Sequence, residues 1–387
     1  MATMKRRARL VPVLAFAALV ALGAAGCAPA TPTGPTDAPT QSPTPTPTAT
    51  AVPVAAAPTP RFDLTCDDLI TRGDLTTLFA DPMSAENPAT PDLATSDVIP
   101  TSDFVRTRGG LACRWSNGKV DDGSATRSAM SATFSLLPDA ASGWKRYRTI
   151  YALKSDTESY CSGDTTITSC YLDAFVNGYW VEADFENIHA KLARQTSPVI
   201  APAKAVFSKA LATLPTLSTT GPLWTPPAGT LTAPRTCDGY VSSAQVKAAL
   251  GTTARVVLGH GDQGGWSLGF EAEQDAAGFG CILGAGNTDN GYGYLSWLPG
   301  GAWAAKEAAV LLPGTPVTVA GLQAGDTVTM STDATSKSIR VDIVVGGNWV
   351  HFDLWDYGAT SDIPRATAPR TVAAKAIAAA IVATLRS

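Results

Sequence analysis

Tyr171-Leu-Asp-Ala-Phe-Val-Asn-Gly-Tyr-Trp-Val-Glu-Ala-Asp-Phe185 is echoed 169 residues later by Arg340-Val-Asp-Ile-Val-Val-Gly-Gly-Asn-Trp-Val-His-Phe-Asp-Leu354. The shift lays Asp173 on Asp342, Gly178 on Gly347, Trp180-Val181 on Trp349-Val350 and Asp184 on Asp353. Asn-Gly and Gly-Gly between alternating apolar runs signal two-residue hairpin turns, because both turn positions need φ > 0. Turns so placed set Val344 opposite Trp349, Asp342 opposite His351 and Arg340 opposite Asp353 on one mixed face. Val341, Ile343, Val350 and Phe352 then share the other face, the expected core. In the first hairpin the mixed face holds Tyr171, Asp173, Phe175, Trp180, Glu182 and Asp184. There Asp173 faces Glu182, and like charges directly opposed are destabilising.

Working outward from the hairpins, the repetition continues. Thr71 reads as the N-cap of a helix running to Phe79, and Ser242 with Gln245 as a capping box before a helix that stops at Gly251. A cysteine stands five residues before each cap, at Cys66 and Cys237, and another follows a long variable stretch, at Cys113 and Cys281. Alternating strands with Leu137-Pro138 and Leu298-Pro299 come next, then helix-like stretches from Trp144 and Trp303. The hairpin follows, and each unit closes with a helix ending Ala-Thr-Leu, Pro202–Leu214 and Ala373–Leu385. The order predicts α+β architecture in two tandem repeats, each an antiparallel sheet with packed helices. The expected organisation is signal peptide 1–26, Pro/Thr-rich tether 27–60, repeat one 61–216, linker 217–234 and repeat two 235–387.

Met1–Gly26 has a basic start, an apolar run from Leu10 to Val20 and small residues before Cys27, the layout of a secretory signal. The run is shorter than the ~20 residues of a membrane span. Removing the segment leaves 25 basic against 33 acidic side chains, a net of −8. That balance speaks against nucleic acid, whose phosphates need a basic face. With three histidines in the chain, a His-based metal site is not expected, and no residue pattern requires a cofactor. Residues 28–60, nearly all Pro, Thr, Ala, Ser and Gly, form a spacer that cannot bury enough surface to fold, either bare or O-glycosylated.

Setting Cys27 aside leaves six cysteines. The second unit holds only Cys237 and Cys281, so these should pair. Their counterparts Cys66 and Cys113 should pair likewise, leaving Cys161 with Cys170. No Cys-x-x-Cys occurs and an exported chain meets an oxidising compartment, which favours structural bridges over redox or metal thiols.

Cys27 after small residues resembles a bacterial lipobox, with Ala24 where Leu is usual; ordinary cleavage with a free Cys27 is the alternative. The lipobox-like cysteine, the tether, Cys66-Asp-Asp-Leu-Ile-Thr71, Cys237-Asp-Gly-Tyr-Val-Ser242 and Cys113-Arg-Trp115 together resemble a broad class of actinobacterial envelope lipoproteins. The second unit departs from that pattern, with Cys281-Ile-Leu283 where the class has Cys-x-Trp. The resemblance implies Cys27 lipidation and anchorage to the outer face of the cell membrane. It also implies a PsbP-like sheet with packed helices that binds lipids or other envelope molecules, and it carries no catalytic residues.

Gly265-Trp-Ser267-Leu-Gly269 matches the nucleophile elbow of hydrolases, but that motif needs a strand before it and a helix after it in a parallel sheet. Here Gly-rich loop is expected. The closing helix Ala373–Leu385 is almost wholly apolar and is expected to be buried. The resulting expectation is a lipid-anchored binding module for a lipid, small molecule or envelope protein. Trp180, Asp184, Trp349, Asp353, Asp173 and Glu182 form its candidate binding face. A serine hydrolase at Ser267 and a purely structural or signalling ectodomain are the alternatives.

Overall fold

Both hairpins close through left-handed pairs, Asn177-Gly178 with φ of 50° and 85° and Gly346-Gly347 with φ of 54° and 86°. The pairings follow from those turns. Val344 faces Trp349, Asp342 faces His351 and Arg340 faces Asp353. In the first hairpin Phe175 faces Trp180, Asp173 faces Glu182 and Tyr171 faces Asp184. The computed structural model describes residues 52–90, 98–119, 129–163, 167–189, 200–260, 266–285, 291–332, 338–355 and 366–387. Cys27 and the signal and most of the tether lie outside them. Ala49–Ser387 is one compact unit.

The first half contains α1 (Cys66–Leu69), α2 (Arg72–Phe79), β1 (Ser84–Glu86), α3 (Thr101–Thr107), β2 (Leu111–Ser116) and β3 (Ser131–Leu137). It continues with α4 (Ala141–Tyr151), β4 (Thr157–Gly163), β5 (Thr168–Val176), β6 (Tyr179–Ile188) and α5 (Ile200–Thr213). The second half contains α6 (Ser243–Leu250), β7 (Val256–His260), α7 (Leu268–Asp275), β8 (Phe279–Ala285), β9 (Gly291–Leu298) and α8 (Ala302–Leu311). It ends with β10 (Thr315–Pro316), β11 (Thr327–Thr332), β12 (Ile339–Val345), β13 (Asn348–Leu354) and α9 (Arg370–Arg386). The fold is α+β with two antiparallel sheets, ordered β1-β2-β3-β6-β5-β4 and β10-β11-β12-β13-β9-β8-β7.

The helices start where their caps dictate. Thr71 accepts from the Asp74 N–H, and Ser242 and Gln245 form the reciprocal capping box, with Gly251 left-handed at the far end. Each sheet buries one face under its closing helix. Phe134, Val181 and Phe185 pack with Ala203, Phe207 and Ala210 of α5. Val341, Ile343, Val350 and Phe352 pack with Ala374, Ile377, Ala378 and Ile381 of α9. Among the described residues no helix is long and apolar enough to cross a membrane.

The bridges Cys66–Cys113, Cys161–Cys170 and Cys237–Cys281 are all formed. The linker is docked rather than free. Leu231 donates to the Gly346 carbonyl at 2.9 Å, and the Asn348 side-chain amide donates to Leu231 O at 2.9 Å.

A third apolar cluster lies between the sheets. It joins Trp180 and Leu137 of the first sheet, Trp349 and Leu298 of the second, Phe104 and Val105 of α3, Trp144 of α4, Leu268 and Ala272 of α7, and Trp303 of α8. Helix α7, from the second half, packs on β3 and β6 of the first sheet. In the other direction the Ile99 N–H reaches across to Ser296 Oγ on β9 at 3.0 Å. Helices α3 and α7 cross closely at Gly269, where a Cβ would lie 2.6 Å from Thr101 Cγ2. Any larger residue at Gly269 would push the two helices apart.

Candidate functional site

The mixed faces of the hairpins point into this middle layer, so they are not open surface. Trp180, Trp349 and Asp353 are fully buried, and Asp173 is 8% exposed. Glu182 and Asp184 are half-buried. The two tryptophans are therefore packing residues, and each anchors a carboxylate. Trp180 Nε1 donates to Asp173 Oδ1 at 2.9 Å, and Trp349 Nε1 donates to Asp342 Oδ1 at 3.0 Å.

Around those matched pairs the two faces differ in charge. In the second sheet Asp342 also contacts His351 Nδ1 at 2.9 Å and accepts from Arg340 Nε at 2.8 Å. Burial alone would raise the Asp342 carboxyl, but His351 and Arg340 outweigh it and hold the group well below the usual carboxylate range. In the first sheet the aligned positions are Tyr171 and Glu182 instead of Arg340 and His351, so no cation faces Asp173 there. Asp173 accepts from Trp180 and from the Tyr147 hydroxyl at 3.1 Å. Burial pushes it up to about 6 against those two hydrogen bonds, with Glu158 adding to the rise. Burial, Asp173 and Glu186 raise Asp184 to about 7. Glu182 is raised well above the ordinary value by burial and by Asp173 and Asp184, although the Leu268 N–H at the start of α7 donates to it.

Glu182 opens onto a cavity of about 130 Å³ between the halves. Its walls are Val98, Ile99, Thr101 and Phe104 at the start of α3, Ser267, Gly269, Phe270 and Glu273 of α7, and Ser296 of β9. Glu273 is 6% exposed, and burial alone raises it to about 7. Among the described residues no hydrogen bond or ion pair reaches its carboxyl. The neighbouring cations are engaged elsewhere: Arg106 with Glu307 and Asp103, Arg108 with Asp275 and Arg146 with Glu271. Among the described residues no three His, Cys, Asp or Glu side chains stand together as metal ligands.

Comparison with family models, curated proteins and solved structures finds no match to this chain.

Ser267 is part of the cavity wall, and its surroundings differ from the expected plain loop. It is the N-cap of α7, and its hydroxyl accepts the Phe270 N–H at 3.2 Å. The sheets on either side are antiparallel, and His351, paired with Ser296 across the strands and in contact with Asp342, does not itself line the cavity. Gly265 of the motif lies outside the described residues. Sequence reasoning placed Glu182 on the mixed face opposite Asp173, as the strand pairing has it, but missed α3, α7, Glu273 and Ser296. The available signals were the Leu268–Ala272 spacing of four and the Ser267 cap, both weak in so short a helix. A wider groove of about 670 Å³ runs between tether residues Ala55–Arg61 and linker residues Thr220–Thr225. The charged group on its walls, Arg61, is already paired with Asp139 at 2.7 Å.

Proposed function

We propose that this protein is an exported binding protein, one α+β fold written twice, whose ligand site is the cavity between the halves. The observation that carries the reading is that Glu182 of the first sheet and Glu273 of α7 line one partly open cavity. Evolution seldom leaves a buried carboxyl without a partner, because its desolvation is costly unless something is bound against it. The size favours a small polar molecule over a lipid. About 130 Å³ is close to the ~150 Å³ that takes a benzene-sized guest, far too little for an acyl chain. Binding is preferred to hydrolysis because the Ser267 hydroxyl already serves as a helix cap.

The resemblance to envelope lipoproteins supplies the setting: a lipidated Cys27, a tether, and a folded body held off the outer face of the cell membrane. Detergent partitioning of wild type against Cys27→Ser tests the anchor, and retention of the variant in the membrane fraction sinks it. Native mass spectrometry of protein purified from its own cells tests the site. Wild type is expected to carry a small adduct that is lost from Thr101→Trp, a substitution that plugs the rim at an exposed residue. An adduct retained by the plugged variant places the ligand elsewhere and removes the cavity from this reading.

A further inference from the structure

We infer that the molecule bound in this cavity is a small organic ammonium ion, seated between the carboxyl groups of Glu182 and Glu273. The inference rests on the reading of the cavity as the binding site and adds the ligand's chemical class.

Four features select that class. The first is charge. Glu182 and Glu273 come from different elements, and among the described residues neither has a cation facing it. The nearby guanidinium groups of Arg106, Arg108 and Arg146 are spent on Glu307, Asp275 and Glu271. The second is the lining. Phe104 and Phe270 supply aromatic surface, which attracts an alkylammonium through the ring quadrupole. The Ser296 hydroxyl supplies a further polar contact. The third is the donor set: the two carboxylates and three hydroxyls of the wall are fewer than the six to eight oxygen ligands calcium takes, and the aromatic rings offer a hydrated magnesium ion nothing that they offer an alkylammonium. The fourth is size, which limits the guest to about six non-hydrogen atoms by comparison with benzene-sized cavities.

The charged surroundings make binding proton-linked. Asp173 and Asp184 flank Glu182 on the first sheet. On α3 Asp103 is tied to Arg106. On α7 Glu271 and Asp275 are tied to Arg146 and Arg108. On the second sheet His351 is tied to Asp342. Burial raises Glu273 to about 7. An arriving ammonium ion replaces the carboxyl proton as its counter-charge. The O–H bond breaks, its proton passes to solvent, and the carboxylate pairs with the cation. Glu182 is raised by burial and by Asp173 and Asp184 as well, so affinity rises with pH through the titration of both cavity carboxyls and levels off once both are ionised.

The test is titration calorimetry of the full mature chain with cyclopentylammonium and with its neutral isostere cyclopentanol. Expected are saturable binding of the cation at least tenfold tighter than the alcohol, and heats at pH 6.5 that differ by the released proton between phosphate and the zwitterionic buffer ACES, which is too large for the cavity. Glu273→Gln should weaken the cation at least tenfold and lessen the buffer dependence. Its cooperative melt would show that the variant folds. If cyclopentanol binds as well as the cation and both are lost in Thr101→Trp, the cavity stands and the ammonium class falls. If the cation binds equally well to Thr101→Trp, both the class and the site fall. No saturable cation binding up to about 50 mM overturns the inference.

Discussion

Trp349 Nε1 donates to Asp342 Oδ1 at 3.0 Å across one hairpin, and seven residues separate the pair, as they separate Trp180 from Asp173 in the other. The indole is thus both core filler and donor to a buried carboxylate. Trp349→Ala should cost about 3–5 kcal/mol, the range for a buried aromatic. Trp349→Phe should cost less, since it withdraws the N–H but only part of the ring volume. Urea melts separate the two contributions, and a loss below ~1.5 kcal/mol for the alanine variant would contradict the burial.

The two carboxylates should respond to neutralisation with opposite signs. Asp342→Asn removes the carboxylate that pairs with Arg340, 1% exposed, and contacts His351 Nδ1. It should cost about 3–5 kcal/mol, as breaking a buried ion pair does. Asp173→Asn keeps the oxygen that accepts from Trp180 and turns an amide N–H toward the Tyr147 hydroxyl, which can still donate to Glu158, while removing a charge opposed to Glu182 and Glu158. At pH 8 it should stabilise by a few tenths of a kcal/mol. Equal destabilisation by both substitutions, measured by denaturant melts, would mean the acidic face is balanced by a charge this account lacks.

The hairpins were legible because Gly and Asn at positive φ fix the turn, and the turn fixes every pairing beyond it. The repeated cysteines made the disulfide pairing legible too. What covers the mixed faces was not. Phe104 and Val105 of α3 and Leu268 and Ala272 of α7 belong to short helices inside the stretches where the halves differ most, so neither period nor repetition flagged them. Nor could local pattern reveal that α7 packs on the other half's sheet, since that is a long-range contact. The charge imbalance was readable as Asp173 opposite Glu182. The partner across the cavity, Glu273, was not, because it sits between Glu271 and Asp275 in what reads as an ordinary solvated run.

The bridges should contribute unequally. Cys66–Cys113 and Cys237–Cys281 close loops of 47 and 44 residues, whereas Cys161–Cys170 closes 9. The chain-entropy model gives ~4 kcal/mol for each long loop and ~2.6 kcal/mol for the short one. Paired Cys→Ser variants of Cys237 and Cys281 should therefore lower stability more than those of Cys161 and Cys170. Non-reducing peptide mapping checks the pairings directly, and a crossed peptide between the halves would refute them.

The shared middle layer should tie the halves into one transition. Trp180, Trp349, Leu268 and Leu298 all belong to it, and separating the sheets exposes them together. The full chain should melt once by calorimetry, with van't Hoff and calorimetric enthalpies equal. Residues 235–387 alone should keep strand signal in far-ultraviolet CD while binding ANS through the uncovered Leu298 and Trp349. Two resolved transitions in the full chain would show that the layer transmits little.

The pH dependence of the ligand-free protein should run against the usual neutral optimum. Asp173 is raised to about 6 and Asp184 and Glu273 to about 7, from ordinary values of 3.8 and 4.5, and Glu182 is raised well above its ordinary value by burial and by Asp173 and Asp184. Between the ordinary and the raised value, such a group holds its proton when folded and loses it when unfolded. The unfolded state then binds fewer protons, so stability falls as pH rises from ~4.5 to ~7 and stays lower above. Asp342 has the opposite sign. Its folded value is depressed, so its contribution is present above 3.8 and is lost as pH falls below that. Together they put the optimum near pH 4–5. Glu273→Gln cannot ionise and should flatten the alkaline arm, gaining on the order of 1–3 kcal/mol over wild type at pH 8. A saturating cation should restore the same stability to wild type at pH 8 and do little for the variant. Chemical denaturation across pH 4–8 measures all of this, and a wild-type curve that climbs steadily from pH 5 to 8 would show that the cavity carboxyls are compensated in the free protein.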